Sequence, residues 1–233
     1  MTKTTVVGIL YPGHSAEDDY PLLEQRLGGV RLPLVHTELK PSDDHTPGAM
    51  KAAGARQLAS HKPDAVVWVC TSGSFAWGWD EALVQTYRLR LVAGVQATST
   101  SFAFVAAAHE LGVRRVAVAA TYPAELAALF ETFLARGDIE VVQLTPHDVL
   151  TAAAAGAMGR EEVLKFVTAS DHPAADAVLV PDTALHTVAW LDELESAAGK
   201  PVLTANQVSV WQGLRMAGDD VPRHGLGLLF RGA

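Results

Sequence analysis

The single cysteine of this 233-residue chain, Cys70, closes the apolar run Asp64-Ala-Val-Val-Trp-Val-Cys70 and opens Thr71-Ser72-Gly73-Ser74. A thiol at the carboxyl end of a strand, followed by hydroxyl donors and a glycine, is placed for chemistry on a small ligand, because open α/β sheets bind ligands at that edge. As thiolate it can add to an activated double bond; as thiol it can protonate an enediolate. A buried cysteine acting as a small hydrophobe is the commoner fate of this residue type. What tips the reading toward catalysis is a second copy of the surroundings. Asp64-Ala-Val-x-x-x-Cys70-Thr71 recurs as Asp176-Ala-Val-x-x-x-Asp182-Thr183, so two similar strands deliver a thiol and a carboxylate to corresponding places.

The repeat extends to the elements that must hold these residues. The runs Val6–Pro12 and Val116–Pro123 both read as strands ending in Tyr-Pro, and Tyr11 to Cys70 is 59 positions against 60 from Tyr122 to Asp182. Gly94-Val-Gln-Ala-Thr-Ser99 and Lys200-Pro-Val-Leu-Thr-Ala-Asn206 each lead into an apolar helix. This order predicts two similar α/β halves, residues 1–96 plus 206–233 and residues 97–205, facing each other across one cleft. Runs of Val, Leu and Ile predict strands at 5–10, 30–36, 64–70, 91–95, 114–120, 139–144, 176–181 and 201–204. Ala-rich amphipathic patterns predict helices over 47–61, 79–90, 101–111, 124–136, 160–170, 185–198 and 206–217. Alternating strands and helices imply right-handed crossovers and a mainly parallel sheet in each half. The loop at 41–47 has turn chemistry and can cover a cleft, although a plain surface loop is the simpler reading.

Composition narrows the partners. With 49% hydrophobic residues the chain is an ordinary globular protein. A formal net charge of −8 and the lack of a basic stripe argue against nucleic acid. No apolar stretch suffices for a membrane span, and the start Met-Thr-Lys-Thr-Thr-Val-Val lacks the apolar core of a signal peptide. One cysteine cannot close an internal disulfide, so a cytoplasmic protein is expected. No Gly-x-Gly-x-x-Gly or Walker-type lysine loop supports a nucleotide, and nine scattered histidines show no ligand spacing, so neither cofactor nor metal is expected. No Gly-x-Ser-x-Gly elbow is present either. Homo-oligomerisation is left open: Trp77, Trp79, Trp190 and Trp211 can form a dimer face or pack within the monomer.

Cys70-Thr-Ser-Gly-Ser-Phe75, Tyr122-Pro123, Asp182-Thr183-Ala-Leu, and Gly199-Lys-Pro-Val-Leu-Thr-Ala-Asn206-Gln207 followed by Trp211 and Leu214-Arg215 resemble the aspartate/glutamate racemase superfamily. The nearest branch is that of maleate cis–trans isomerase and arylmalonate decarboxylase. The resemblance runs over nearly the whole chain and rests on the order and spacing of the motifs. It implies two Rossmann-like, pseudo-twofold related halves with the active site between them, no organic cofactor or metal, and proton or thiolate chemistry beside the carboxylate of a small carboxylic or dicarboxylic acid. It also implies a dioxyanion hole, for which Thr71, Ser72 and Tyr122 match. Thr183 stands where the decarboxylase has glycine and would offer its backbone N–H.

Bond making or breaking next to a carboxylate builds negative charge on its oxygens, which aimed donors must stabilise. Tyr11 and Asn206 are further candidates for touching a carboxylate, balanced by a packed aromatic for Tyr11 and a helix N-cap for Asn206. Asp182 departs from the pattern of those family members that remove a proton from one face and return it on the other, which carry a thiol in each half. Two-cysteine racemisation is therefore disfavoured, while a carboxylate with a burial-raised pKa can still act as a base opposite Cys70. Alternatively it repels dianions and selects a less charged substrate or an amine. Three readings stay open: an isomerase of the maleate or racemase type, a decarboxylase of substituted malonates, and a carboxylate-binding relative without turnover.

Overall fold

The computed structural model describes residues 4–12, 15–37, 47–149 and 151–232, with side chains left undescribed over 47–52. Among them, nine strands form two sheets in which every pairing is parallel. In the first sheet β1 (Thr5–Tyr11) pairs on one side with β2 (Val30–Arg31) and β3 (Leu34–His36), and on the other with β4 (Ala65–Trp68), which pairs with β5 (Gln96–Ser99). The second sheet has the order β7 (Glu140–Pro146), β6 (Arg115–Ala120), β8 (Ala177–Val180), β9 (Val202–Thr204). The helices are α1 (Asp19–Leu27), α2 (Pro47–Leu58), α3 (Thr71–Phe75), α4 (Trp79–Ala93), α5 (Thr100–Glu110), α6 (Ala124–Arg136), α7 (Ala152–Gly156), α8 (Arg160–Ala169), α9 (Leu191–Ala198) and α10 (Ala205–Met216). The α/β class with parallel sheets is as expected.

One strand sits elsewhere than expected. Leu91-Val92-Ala93, read as the heart of a strand at 91–95, continues the period of α4, and the strand follows at Gln96–Ser99. Gly94 makes the break: at φ 70 it adopts the left-handed conformation that ends a helix, and its N–H bonds back to Arg90. Leu91 and Val92 are exposed, as a strand buried on both faces would not allow. Because β5 bonds to β4, the first sheet continues past residue 97, where the second half was expected to begin. Helices α1 and α3 occupy stretches to which the periodicity assigned no element. The loop at 41–47 lies outside the described residues, except for Pro47 at the start of α2.

Strand alternation sorts the core. In β4 and its continuation, Val67 and Val69 join Ile9, Phe104 and Phe130 in the larger cluster, whereas Val66, Trp68 and Cys70 join Leu10, Leu58 and Leu89 on the opposite face. In β8, Leu179 belongs to the larger cluster, and Val178 and Val180 to a third one with Val163, Phe166 and Leu194. α10, which follows the last strand of the second sheet, packs on β4 and β5 of the first and against α5. No helix among the described residues is long and apolar enough to cross a membrane.

Candidate active site

Cys70 lies two residues beyond the last residue of β4 and directly before α3. It is buried, with 8% of its surface exposed. Gly73 makes room for the sulfur: a Cβ built there would stand 2.8 Å from Cys70 Sγ and 2.5 Å from Trp68 Cη2, so this close approach excludes any side chain. The first turn of α3 is tied to α5. Thr71 O accepts from Ser74 Oγ at 3.0 Å and from Ser101 Oγ at 2.9 Å, and the two serine hydroxyls are 2.5 Å apart. The Thr71 hydroxyl is buried beside the Tyr122 phenol and closes no hydrogen bond of normal geometry. A buried polar atom outside a hydrogen bond of normal geometry is costly. Ser72 is half-buried on the same turn.

Asp182 lies at the matching place beyond β8. The β6–β8 register pairs Val116 with Ala177 and Val118 with Leu179, and carried three residues further it sets Thr121 beside Asp182. The Thr121 hydroxyl indeed donates to Asp182 Oδ2, and Ala184 N donates to Oδ1 at 2.8 Å. Burial raises the Asp182 carboxyl above the ordinary carboxylate range, and these two donors draw it only part of the way back.

Two tyrosines connect the thiol and the carboxylate. Tyr11, from β1, shares its one hydroxyl hydrogen between the Ser15 carbonyl and the Thr183 carbonyl, the latter at 3.1 Å, so a residue of the first sheet touches the loop that carries Asp182. Tyr122, which follows β6, donates to the Pro181 carbonyl and packs its ring 5.7 Å from that of Phe75 in α3. Both phenols lie within electrostatic reach of Asp182 and of Cys70. Burial is the largest influence on each and the neighbouring anions add to it, so both are raised and stay protonated donors at neutral pH. Cys70, Asp182, Thr71, Tyr122, Tyr11 and Thr183 thus converge on one locality.

The Tyr-Pro endings of β1 and β6, read as counterparts, are offset. Extending the β1–β4 pairing places Tyr11 opposite Val69, one residue before Cys70, while the β6–β8 pairing places Tyr122 opposite Thr183, one residue after Asp182. The offset of two keeps both rings on the same side of their strands.

Asn206 is not an N-cap. Thr204 caps α10, with Gln207 Oε1 accepting from Thr204 N at 3.1 Å in a capping box. Asn206 sits in the first turn, 1% exposed, with its amide fully engaged. Its Oδ1 accepts from Tyr20 Oη at 3.0 Å, and its Nδ2 donates to Asp19 Oδ2 at 3.0 Å and to Thr183 O at 3.2 Å. Asp19 and Tyr20 are residues that sequence reasoning missed. The signal was the Glu17-Asp18-Asp19-Tyr20 run soon after Tyr11-Pro12, which reads as a solvated turn until α1 buries its inner half. Burial pushes Asp19 up to about 6, against the lowering effect of its bonds to Asn206 and Thr187. Beside these residues opens a groove of about 590 Å³ lined by Ser15–Asp18, Ala153, Gly156, Ala157 and His186. No cluster of three or more potential metal ligands occurs among the described residues.

This chain is similar to known proteins over most of its length. A family model described as arylmalonate decarboxylase matches residues 48–230. The arylmalonate decarboxylase of Bordetella bronchiseptica is 29% identical over 182 residues, 76% of this chain and 75% of the relative. Among solved structures, a maleate isomerase variant of Pseudomonas putida S16 with maleate superposes with TM-score 0.88 at 20% identity, covering 99% of both chains. A Nocardia farcinica maleate cis–trans isomerase variant with a covalently bound succinylcysteine intermediate gives 0.86 at 19% identity, covering 97% of this chain and 98% of that one. A liganded arylmalonate decarboxylase variant gives 0.82 at 24%, covering 97% and 99%. The structural matches establish a shared fold, the relatives are enzymes, and the match over 48–230 places this chain in the arylmalonate decarboxylase family.

Proposed function

We propose that this protein is a Cys70-dependent enzyme of the isomerase type acting on a small carboxylic or dicarboxylic acid. The observation that carries the reading is the pairing of the chain's only thiol with a carboxylate whose protonated form burial favours, both within reach of the same two phenols. Decarboxylation requires one proton donor after carbon dioxide leaves. A second ionisable group on the other strand end suits a reaction that works on a substrate from two sides. In a cis–trans isomerisation the Cys70 thiolate adds to one alkene carbon while the π electron pair moves to its neighbour and into the adjoining carboxylate. Rotation about the resulting single bond and expulsion of the thiolate restore the alkene in the trans form. Thr71 and Ser72 supply donors to the charge that develops on the carboxylate, the Tyr122 hydroxyl joins them by turning from the Pro181 carbonyl, and the raised pKa of Asp182 lessens its repulsion of an anion.

The extended match to the arylmalonate decarboxylase model favours a second reading, in which Cys70 protonates the enediolate left by a departing carboxylate. The test is to incubate the purified protein in deuterated water with maleate and with an aryl-substituted malonate, following products by proton NMR and carbon dioxide by mass spectrometry. Fumarate formation that vanishes in Cys70→Ala is expected. Carbon dioxide release with no isomerisation would replace this reading by the second, and turnover surviving in Cys70→Ala would remove the thiol from both.

A further inference from the structure

We infer that Asp19 and Asn206 are positioning residues that aim the Asp182 carboxyl group through one peptide plane. The inference rests on the reading of Asp182 as a working group. The plane is the one joining Thr183 to Ala184. Its N–H donates to Asp182 Oδ1 at 2.8 Å, and its carbonyl accepts from Tyr11 Oη at 3.1 Å and Asn206 Nδ2 at 3.2 Å. A peptide unit is rigid, so fixing its carbonyl fixes the direction of its N–H. The Asp182 carboxylate therefore takes its orientation from the Thr121 hydroxyl at Oδ2 and, at Oδ1, from whatever holds the Thr183 oxygen.

That holder is itself fixed. Asn206 has two amide hydrogens, and both are in use, on Thr183 O and on Asp19 Oδ2 at 3.0 Å. Its oxygen receives the Tyr20 hydroxyl at 3.0 Å. The amide can face only one way, because two acceptors stand on its nitrogen side and a hydroxyl on its oxygen side. Asp19 is held in turn by Thr187 N at 3.4 Å. Asp19, Tyr20, Thr187 and Asn206 are each at most 3% exposed, so water offers no substitute for a lost bond. The chain runs from α1, through the first turn of α10, to the loop after β8. It also removes Asn206 from the ligand-binding set: no donor is left on it for a substrate.

The groups facing Asp182 are Thr121, Tyr11, Tyr122 and Cys70, and those facing Asp19 are Asn206, Thr187, His186, Asp18, Tyr11 and Tyr20. The Ala184 N–H is one of two hydrogen bonds that lower the Asp182 pKa, so loosening it must raise the titration midpoint further.

The experiment reads that midpoint directly, by carbon-13 NMR of protein labelled at the aspartate side-chain carboxyl, with Asp182→Asn to assign the signal. In Asn206→Leu the Asp182 midpoint is expected to rise, and kcat on maleate to fall roughly ten- to hundredfold with KM within about twofold. Asp19→Asn retains an acceptor oxygen and is expected to keep the wild-type midpoint, whereas Asp19→Ala is expected to raise it. Should Asn206→Leu not fold, the two Asp19 variants give the same comparison. In the wild type, slow exchange of the Ala184 amide hydrogen provides a reading without mutation. An unchanged midpoint in folded Asn206→Leu or Asp19→Ala, equal shifts in Asp19→Asn and Asp19→Ala, or fast Ala184 exchange would each overturn the inference. The midpoint is measurable on protein that turns over no acid at all, so failure of the proposed activity and failure of this chain are separate results.

Discussion

Replacing Asp19 by Asn is expected to change how stability depends on pH. Asp19 is 3% exposed and its carboxyl is raised from 3.8 to about 6 in the folded protein. A carboxyl group whose pKa is higher folded than unfolded binds its proton more tightly in the native state. Its contribution to stability is complete below pH 3.8 and is lost as pH climbs through about 6. At about 1.4 kcal/mol per unit, the loss across that window is on the order of 3 kcal/mol. The Asn variant keeps the size and one acceptor oxygen and has no proton to lose. The stability difference between variant and wild type should therefore move by about 3 kcal/mol in the variant's favour between pH 3.5 and 7, while titrations common to both cancel. Urea unfolding followed by tryptophan fluorescence at half-unit pH steps measures this, and thermal scans should show the gap as roughly 6–12 °C for a chain of this size. Parallel stability profiles through pH 4–6.5 would refute the reasoning, for they would mean that Asp19 enters the folded state with an ordinary carboxylate pKa.

Two further variants probe the thiol and its surroundings. Gly73→Ala drives a methyl group against Trp68 and Cys70 Sγ, at 2.5 and 2.8 Å before relaxation, and is expected to cost about 1–3 kcal/mol and to slow alkylation of the thiol by iodoacetamide; unaltered stability and labelling would contradict the close approach. Tyr122→Phe removes the phenol that donates to Pro181 O and lies beside Thr71, and is expected to lower kcat about a hundredfold while costing only about 1 kcal/mol in unfolding experiments. A large stability loss with kcat intact would reassign Tyr122 to the core.

The duplicated Asp-Ala-Val stretch made the two strand ends legible from sequence, because a parallel strand buried on both faces is a continuous apolar run and its end is marked where polar residues resume. Cys70 and Asp182 followed directly from that pattern. The Leu91-Val-Ala-Gly-Val95 stretch misled because a short apolar run satisfies both periods, and only the glycine at positive φ decides where the helix stops. Asp19, and the partnership of the candidate Asn206 with it, were hidden for another reason. An acidic residue near a turn and an asparagine near a helix start are ordinarily solvated or capping, and nothing local reveals that residues 187 positions apart meet in a dry interior. The offset of Tyr11 and Tyr122 was equally invisible, since matching sequence spacing does not report hydrogen-bond register.

A lone thiol also sets how the protein ages. Oxidised to sulfenic acid, Cys70 has no second cysteine in its own chain to trap it as a disulfide, so without an external thiol the route leads on to the irreversible sulfinic and sulfonic acids. The side chain's 8% exposure slows that route. On the proposed thiol chemistry, a small thiol supplied by the surroundings is what would preserve the working lifetime of Cys70.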